Sequence, residues 1–281
     1  MKLLNLATIG LLSTSILAGG VTAFAEEVRN VTTDGEISFT AVDEDGEGED
    51  TEVIPPEGED GPDVEIPPVE GPDGGNKGPL TIAYAPTMNF GSQVISNQDR
   101  AYSMVAEMQQ LAGTTGDENK VPYTSFAQVQ DTRGTNGGWD LQVSLSNFTS
   151  GTQNGTLTGA EISLRDPRIQ YEGSNAANAP AAHASRLNLR PGTGSVSVMT
   201  ADPTKGAGVS SVVWGNQADL DEQFEDDDVD VVKNDAIVLS IPGSTAKDAA
   251  TYSSTLTWEL TATPGDDVDE DDEEDEDDTD A

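Results

Sequence analysis

Between residues 79 and 264 apolar and polar side chains trade places every second residue, the spacing that puts one set on each face of a β-strand. Leu80, Ile82 and Tyr84 alternate with Thr81, Ala83 and Ala85, and Trp139, Leu141, Val143 and Leu145 alternate with Asp140, Gln142, Ser144 and Ser146. Tyr252, Leu256, Trp258 and Leu260 share one face of a last strand. Shorter strands are predicted at 162–164, 196–199, 209–214 and 237–241, separated by Gly, Asn, Pro and Thr clusters such as Asn136-Gly137-Gly138 and Pro191-Gly192. Residues 100–111 admit two readings, because Met104, Met108 and Leu111 also fall at helical spacing. The block is long enough for one sizeable core, and the pattern predicts an all-β, antiparallel β-sandwich-like single domain over residues 79–265.

The flanks do not carry this pattern. Residues 1–25 have one positive charge at Lys2, an apolar run through Leu17 and a small-residue end, Ala23-Phe24-Ala25. That is the layout of a secretory leader cleaved after Ala25, and the apolar run is shorter than the roughly 20 residues a spanning helix needs. Residues 26–78 are acidic and rich in Pro and Gly, with too few apolar side chains to offset chain entropy, and are expected to form a disordered, extended linker. Residues 266–281 hold thirteen acids in sixteen positions and are expected to form a disordered tail. A third acidic run, 219–230, reads as a long surface loop.

Charge narrows the range of partners. The formal charge is −39, and removing residues 1–25 takes away Lys2 and no acid, leaving −40. Nucleic-acid binding depends on clustered Lys and Arg, and the thirteen basic residues here are scattered, so no nucleic-acid partner is expected. Anionic membranes and teichoic acids would also repel the chain unless divalent cations bridge the charges. With no cysteine there is neither a disulfide nor a lipidation site. The acidic segments at both ends are expected to keep the protein extended and soluble.

Catalytic chemistry finds little support. The single histidine, His183, sits in an Ala-rich stretch with no nucleophile turn around it, and one His with no Cys leaves no zinc set. Carboxylates concentrate in low-complexity runs that hold none at fixed separation, and no run matches the calcium-loop spacing. No catalytic residue, metal site or cofactor is therefore expected.

Two Trp-x-Leu units stand more than a hundred residues apart, Trp139-Asp140-Leu141 and Trp258-Glu259-Leu260. The second lies in a longer run in which Tyr252, Leu256, Thr257, Trp258, Leu260 and Pro264 hold fixed spacings. Together they resemble the WxL family of secreted Gram-positive surface proteins, whose distal signature is met at every fixed position. The resemblance extends to Pro79-Leu80-Thr81-Ile82, to Phe90-Gly91, to Asp131-Thr132-Arg133-Gly134 ahead of the first Trp, and to the start of the linker at Thr33-Asp34-Gly35. The acidic tail beyond Pro264 and the acidic run 219–230 depart from it.

The resemblance implies non-covalent attachment to the cell wall by binding peptidoglycan, with other surface proteins of the same cell as further partners. The alternative is an adhesin or a subunit of a surface complex held at the wall by a partner; a secreted polysaccharide-degrading enzyme is a third and weaker reading. The Trp rings continue the faces that carry Leu141, Val143 and Leu256 and are read as core, the competing reading being an apolar platform for sugar rings. Asp131 and Arg133 are expected to pair and fix the turn entering the Trp139 strand, and Trp214 to be core.

Overall fold

The structure, a computed structural model, describes residues 36–39, 51–69 and 76–262. The expected leader with its expected cleavage after Ala25, Pro264 and the acidic tail lie outside the described residues. Residues 36–39, part of a first unit, carry no helix or strand and are exposed. All strands belong to the second unit and every pairing is antiparallel.

In chain order the strands are β1 (Val64–Glu65), β2 (Leu80–Tyr84), β3 (Arg100–Val105), β4 (Glu107–Leu111), β5 (Lys120–Tyr123), β6 (Ser125–Asp131), β7 (Trp139–Leu145) and β8 (Glu161–Arg165). There follow β9 (Arg168–Tyr171), β10 (Ala181–Ala182), β11 (Arg186–Leu189), β12 (Val196–Ala201) and β13 (Gly208–Trp214). A helix α1 (Gln217–Glu225) precedes β14 (Lys233–Ile241) and β15 (Leu256–Ala262). They form sheets ordered β10-β12-β7-β15, β11-β8-β14-β3, β2-β6-β13-β9 and β1-β4-β5. The expected all-β, antiparallel architecture is what the chain adopts.

One core joins the three four-stranded sheets. Trp139, Leu141, Val143 and Leu145 of β7 meet Ala127 and Val129 of β6, Ile162 and Leu164 of β8, Val212 and Trp214 of β13, and Ile237, Leu239 and Ile241 of β14. Along β7 the buried set alternates with half-buried Asp140, Gln142 and Ser144, as period two requires.

Sheet β2-β6-β13-β9 is apolar on both faces. Tyr84, Phe126 and Val213 point away from the main core and gather with Tyr123 in a second cluster, where the Tyr84 and Phe126 rings stack at 4.5 Å. Residues 51–69 cover this cluster, which corrects the expectation of an extended linker throughout 26–78. Val53, Val64 and Ile66 are buried in it. The Gln128 side-chain amide mimics a neighbouring strand, accepting from Ile54 N at 3.0 Å and donating to Ile54 O at 2.6 Å. The Glu57 carboxylate receives Thr124 Oγ1 and the Arg168 guanidinium. Three well-spaced apolar residues suffice because the sheet supplies the rest of the apolar surface. The prolines around them leave less chain entropy to lose on docking.

One open reading is resolved and two further local expectations change. Residues 100–111 are β3 and β4, not a helix: Met104 enters the main core, Met108 is exposed, and β14 and β5 supply the ladders. In β2 the alternation breaks at a register shift between Ile82 and Tyr84, so Tyr84 joins Ala83 in the second cluster while Leu80 and Ile82 pack on the main core. The acidic run expected as a loop begins inside α1. Asn216 caps α1 by accepting from Ala218 N at 2.9 Å, and Leu220 docks on Ala106 and Val232. One buried leucine anchors the turn while its acids stay in water.

Candidate functional site: the two Trp-x-Leu strands and the groove beside β15

β7 and β15 are neighbours in the sheet, and their register brings the two motifs together. Leu256 lies opposite Leu145, Trp258 opposite Val143, Leu260 opposite Leu141 and Ala262 opposite Trp139. Residues directly opposite in an antiparallel pair share a face, so both Trp-x-Leu units look toward the main core. Their middle residues look outward. Asp140 accepts from Ser197, Thr200 and Gln142, and Glu259 accepts from Ser195.

β7 is flanked by β12 and β15, and Trp139 is sealed beneath them with 0% of its surface exposed. Its indole Nε1–H donates to Gly206 O at 3.0 Å. Gly206 has φ +74°, and a Cβ there would stand 2.6 Å from that nitrogen, so only glycine permits the approach. The turn entering β7 is held by a buried ion pair. Arg133 Nε and Nη2 reach Asp131 Oδ1 and Oδ2 at 2.9 and 2.7 Å, and Nη2 also donates to Gly138 O at 2.8 Å. Asp131 and Arg133 thus pair with each other, as expected, and Trp139 is core.

Trp258 differs because β15 is an edge strand among the described residues, paired there with β7 alone. Leu256, Trp258 and Leu260 pack on the core but are only partly buried. They form one wall of a groove of about 940 Å³ whose other side is built from Leu80, Ile82, Met88 and Phe90, with Phe148 also lining it. Lys77, Thr87 and Ser254 add polar groups. The Trp258 indole N–H makes no hydrogen bond among the described residues.

The other residues of the distal signature have separate roles. The Tyr252 hydroxyl donates to Asn154 O at 2.7 Å and accepts from Asp248 N at 2.9 Å, pinning the loop before β15. Asp248 also receives Asn154 N and Nδ2, and these hydrogen bonds hold its carboxyl below the usual range. Thr257 turns to the exposed face beside Glu259.

The two edges that meet at the groove are finished differently. The outer edge of β2 is closed: Asn76 accepts from Ile82 N at 3.0 Å and donates to Ile82 O at 2.6 Å, while Val69 N donates to Ala83 O at 2.9 Å. Along β15 every backbone group turned away from β7 lacks a partner among the described residues.

Behind Trp258 stands Trp214, 0% exposed, with ring centroids 6.4 Å apart. Trp214 Nε1–H donates to His183 Nε2 at 2.9 Å. Sequence reasoning placed Trp214 in the core but missed this partner. It also missed the wall formed by Met88, Phe90 and Phe148, since no periodicity marks a groove assembled from strands and loops far apart in the chain.

Glu107 is a half-buried carboxylate near the site. It accepts from the Tyr84 hydroxyl at 3.1 Å and Thr87 N at 2.9 Å, and burial raises its pKa above the ordinary carboxylate range. Burial likewise pushes the Tyr84 hydroxyl upward, with Glu107 adding to the effect. Among the described residues no group of three or more His, Asp or Glu side chains is placed to hold a metal ion. No helix among them is long and apolar enough to cross a membrane.

Compared with known proteins, residues 26–264 match a family model described as the WxL domain, surface cell wall-binding. No curated protein and no solved structure matches the chain.

Proposed function

Because the chain belongs to the WxL family of cell wall-binding surface domains, we propose that it attaches non-covalently to the wall by holding peptidoglycan in the groove beside β15. One observation carries this reading: of the two motif tryptophans only Trp258 has an open face, and that face lies in an apolar groove. A half-buried indole offers a flat surface to the C–H faces of a sugar ring and an N–H to its hydroxyls or amide. Lys77 and the Thr and Ser side chains at the groove supply further polar contacts. Trp139, Leu141 and Tyr252 act indirectly, by fixing the sheet and the loop that present β15. The role in this reading is binding, as the family's description as cell wall-binding supports.

Export is part of the same proposal. Residues 1–25 act as a leader removed after Ala25, and the family match begins at residue 26.

A second reading, attachment through a partner surface protein, is favoured by the unpaired edge of β15. Such an edge can accept an extended strand from another protein. Sedimentation of the full chain with protein-free peptidoglycan separates the two. Saturable co-sedimentation that is lost in Trp258→Ala, with unchanged unfolding, supports the groove. Failure of the folded wild-type protein to sediment moves the assignment to a partner-held subunit.

A further inference from the structure

The wall of the groove is tied, through two tryptophans, to the chain's single histidine. Trp214 is wholly buried and its indole nitrogen can only donate, so it needs an acceptor. The acceptor is His183 Nε2, 2.9 Å away. To accept, Nε2 must carry its lone pair, which places the ring proton on Nδ1. Nδ1 in turn lies 2.5 Å from Ala184 O, an acceptor that holds that proton. Both ring nitrogens are thereby committed, and the neutral tautomer is the form that satisfies both neighbours. A second proton would go to Nε2 and point at the Trp214 N–H. Two donors would then face each other, and a buried indole would lose its partner.

We propose that His183 is a pH-operated latch on the groove: neutral, it holds Trp214 against Trp258; protonated, it releases Trp214 and loosens the wall that Trp258 presents. This rests on the reading of the groove as the wall-contact surface and adds regulation to it.

The surroundings leave His183 as the titrating group. β12, to which its backbone is bonded through His183 N–H and Val198 O, carries no ionisable side chain, and neither does β13 with Trp214. On β9, Arg168 is bound to Glu57 and the Tyr171 hydroxyl to Ala207 O. Lys205 and Asp202 pair with each other in the loop before β13. Arg165, Asp166 and Arg186 lie where Asp166 N donates to Ser185 O, and Glu259 lies on the outward face of β15. None of these charges bears on His183, whose pKa is lowered from 6.5 by burial, partly offset by the Ala184 carbonyl.

The test uses the full chain and His183→Gln, whose amide oxygen can accept from Trp214 but does not titrate. Tryptophan fluorescence and retention on protein-free peptidoglycan are measured at about pH 7.5 and about pH 5, on either side of ordinary histidine titration. The expected result is a fluorescence transition below pH 6.5 in the wild type, with wall affinity about fivefold or more weaker at the lower pH, and neither change in the variant. The latch is overturned if wild type and variant share the same fluorescence profile, or if a His183-dependent transition leaves wall affinity untouched. A His183-dependent transition in a protein that binds peptidoglycan at neither pH upholds the His183–Trp214 switch and removes the wall-contact reading instead.

Discussion

Trp139 and Trp258 occupy the same place in two copies of one three-residue motif, on adjacent strands, on the same face of one sheet. Their environments nevertheless differ. Trp139 sits between two paired neighbours, with its N–H satisfied by Gly206 and no surface left open. Trp258 lies one strand further out, where the sheet of described residues ends, and part of it faces a groove. Strand order assigns them different work: the central copy consolidates the core and the edge copy presents a surface. A motif shared by two strands is therefore evidence of common local structure and not of common function.

The largest expected effect comes from breaking the sealed copy. Trp139→Ala should cost about 3–5 kcal/mol or prevent folding, since no neighbour can fill the space beneath β12 and β15. Denaturant unfolding measures this, and a cost near that of Trp258→Ala would erase the distinction. Next is the ion pair that aims β7. Asp131→Ala leaves Arg133 mostly buried without its carboxylate and should cost about 2–3 kcal/mol. It should not alter wall binding per folded molecule, which is read by sedimentation of the folded fraction.

For the edge copy the order of effects inverts. Trp258→Ala should lower stability by only about 1–2 kcal/mol, because the side chain is partly exposed, yet it should abolish most wall retention. A variant that loses stability but keeps retention would place Trp258 with Trp139 as core.

The smallest effect concerns Glu107, packed near the groove's other wall, and its sign opposes that of His183. Burial raises the Glu107 pKa from 4.5, so the folded chain holds this proton more tightly than the unfolded chain does. Its stabilising contribution is present below pH 4.5 and is lost as pH rises through the raised value. For His183 the folded pKa is lowered from 6.5, so the contribution is present above pH 6.5 and is lost as pH falls through the folded value. Comparing the pH dependence of unfolding for Glu107→Gln and His183→Gln should show the two slopes removed separately. Identical slopes in both variants would mean that neither group carries the linkage.

The same comparison explains which features were legible in the chain. Period-two alternation along β7 and β15 identified both strands and the face each buries, because side-chain direction in a strand is a local property. The pairing of Asp131 with Arg133 was legible for the same reason, since the two residues stand two apart at the end of β6. The alternation could not reveal a bulge: Tyr84 was assigned to the face of Ile82, and the register shift carries it to the other. Composition misled at residues 51–69 and 219–230. Charge density there suggested solvated chain, whereas Val53, Val64, Ile66 and Leu220 each found a complementary apolar surface contributed by distant residues.

By itself the sequence determined the all-β class, the two motif strands, the inward direction of their Trp and Leu side chains and, through the spacing of those residues, the family. The tertiary structure alone decided that β15 is an edge, that Leu80, Ile82, Met88 and Phe90 stand across from it, and that His183 backs the wall through Trp214. The division has a physical cause. The direction of a side chain follows from its own backbone and neighbours, whereas exposure, groove walls and hydrogen-bond partners depend on which strands meet, and that is settled by the free energy of packing the whole core.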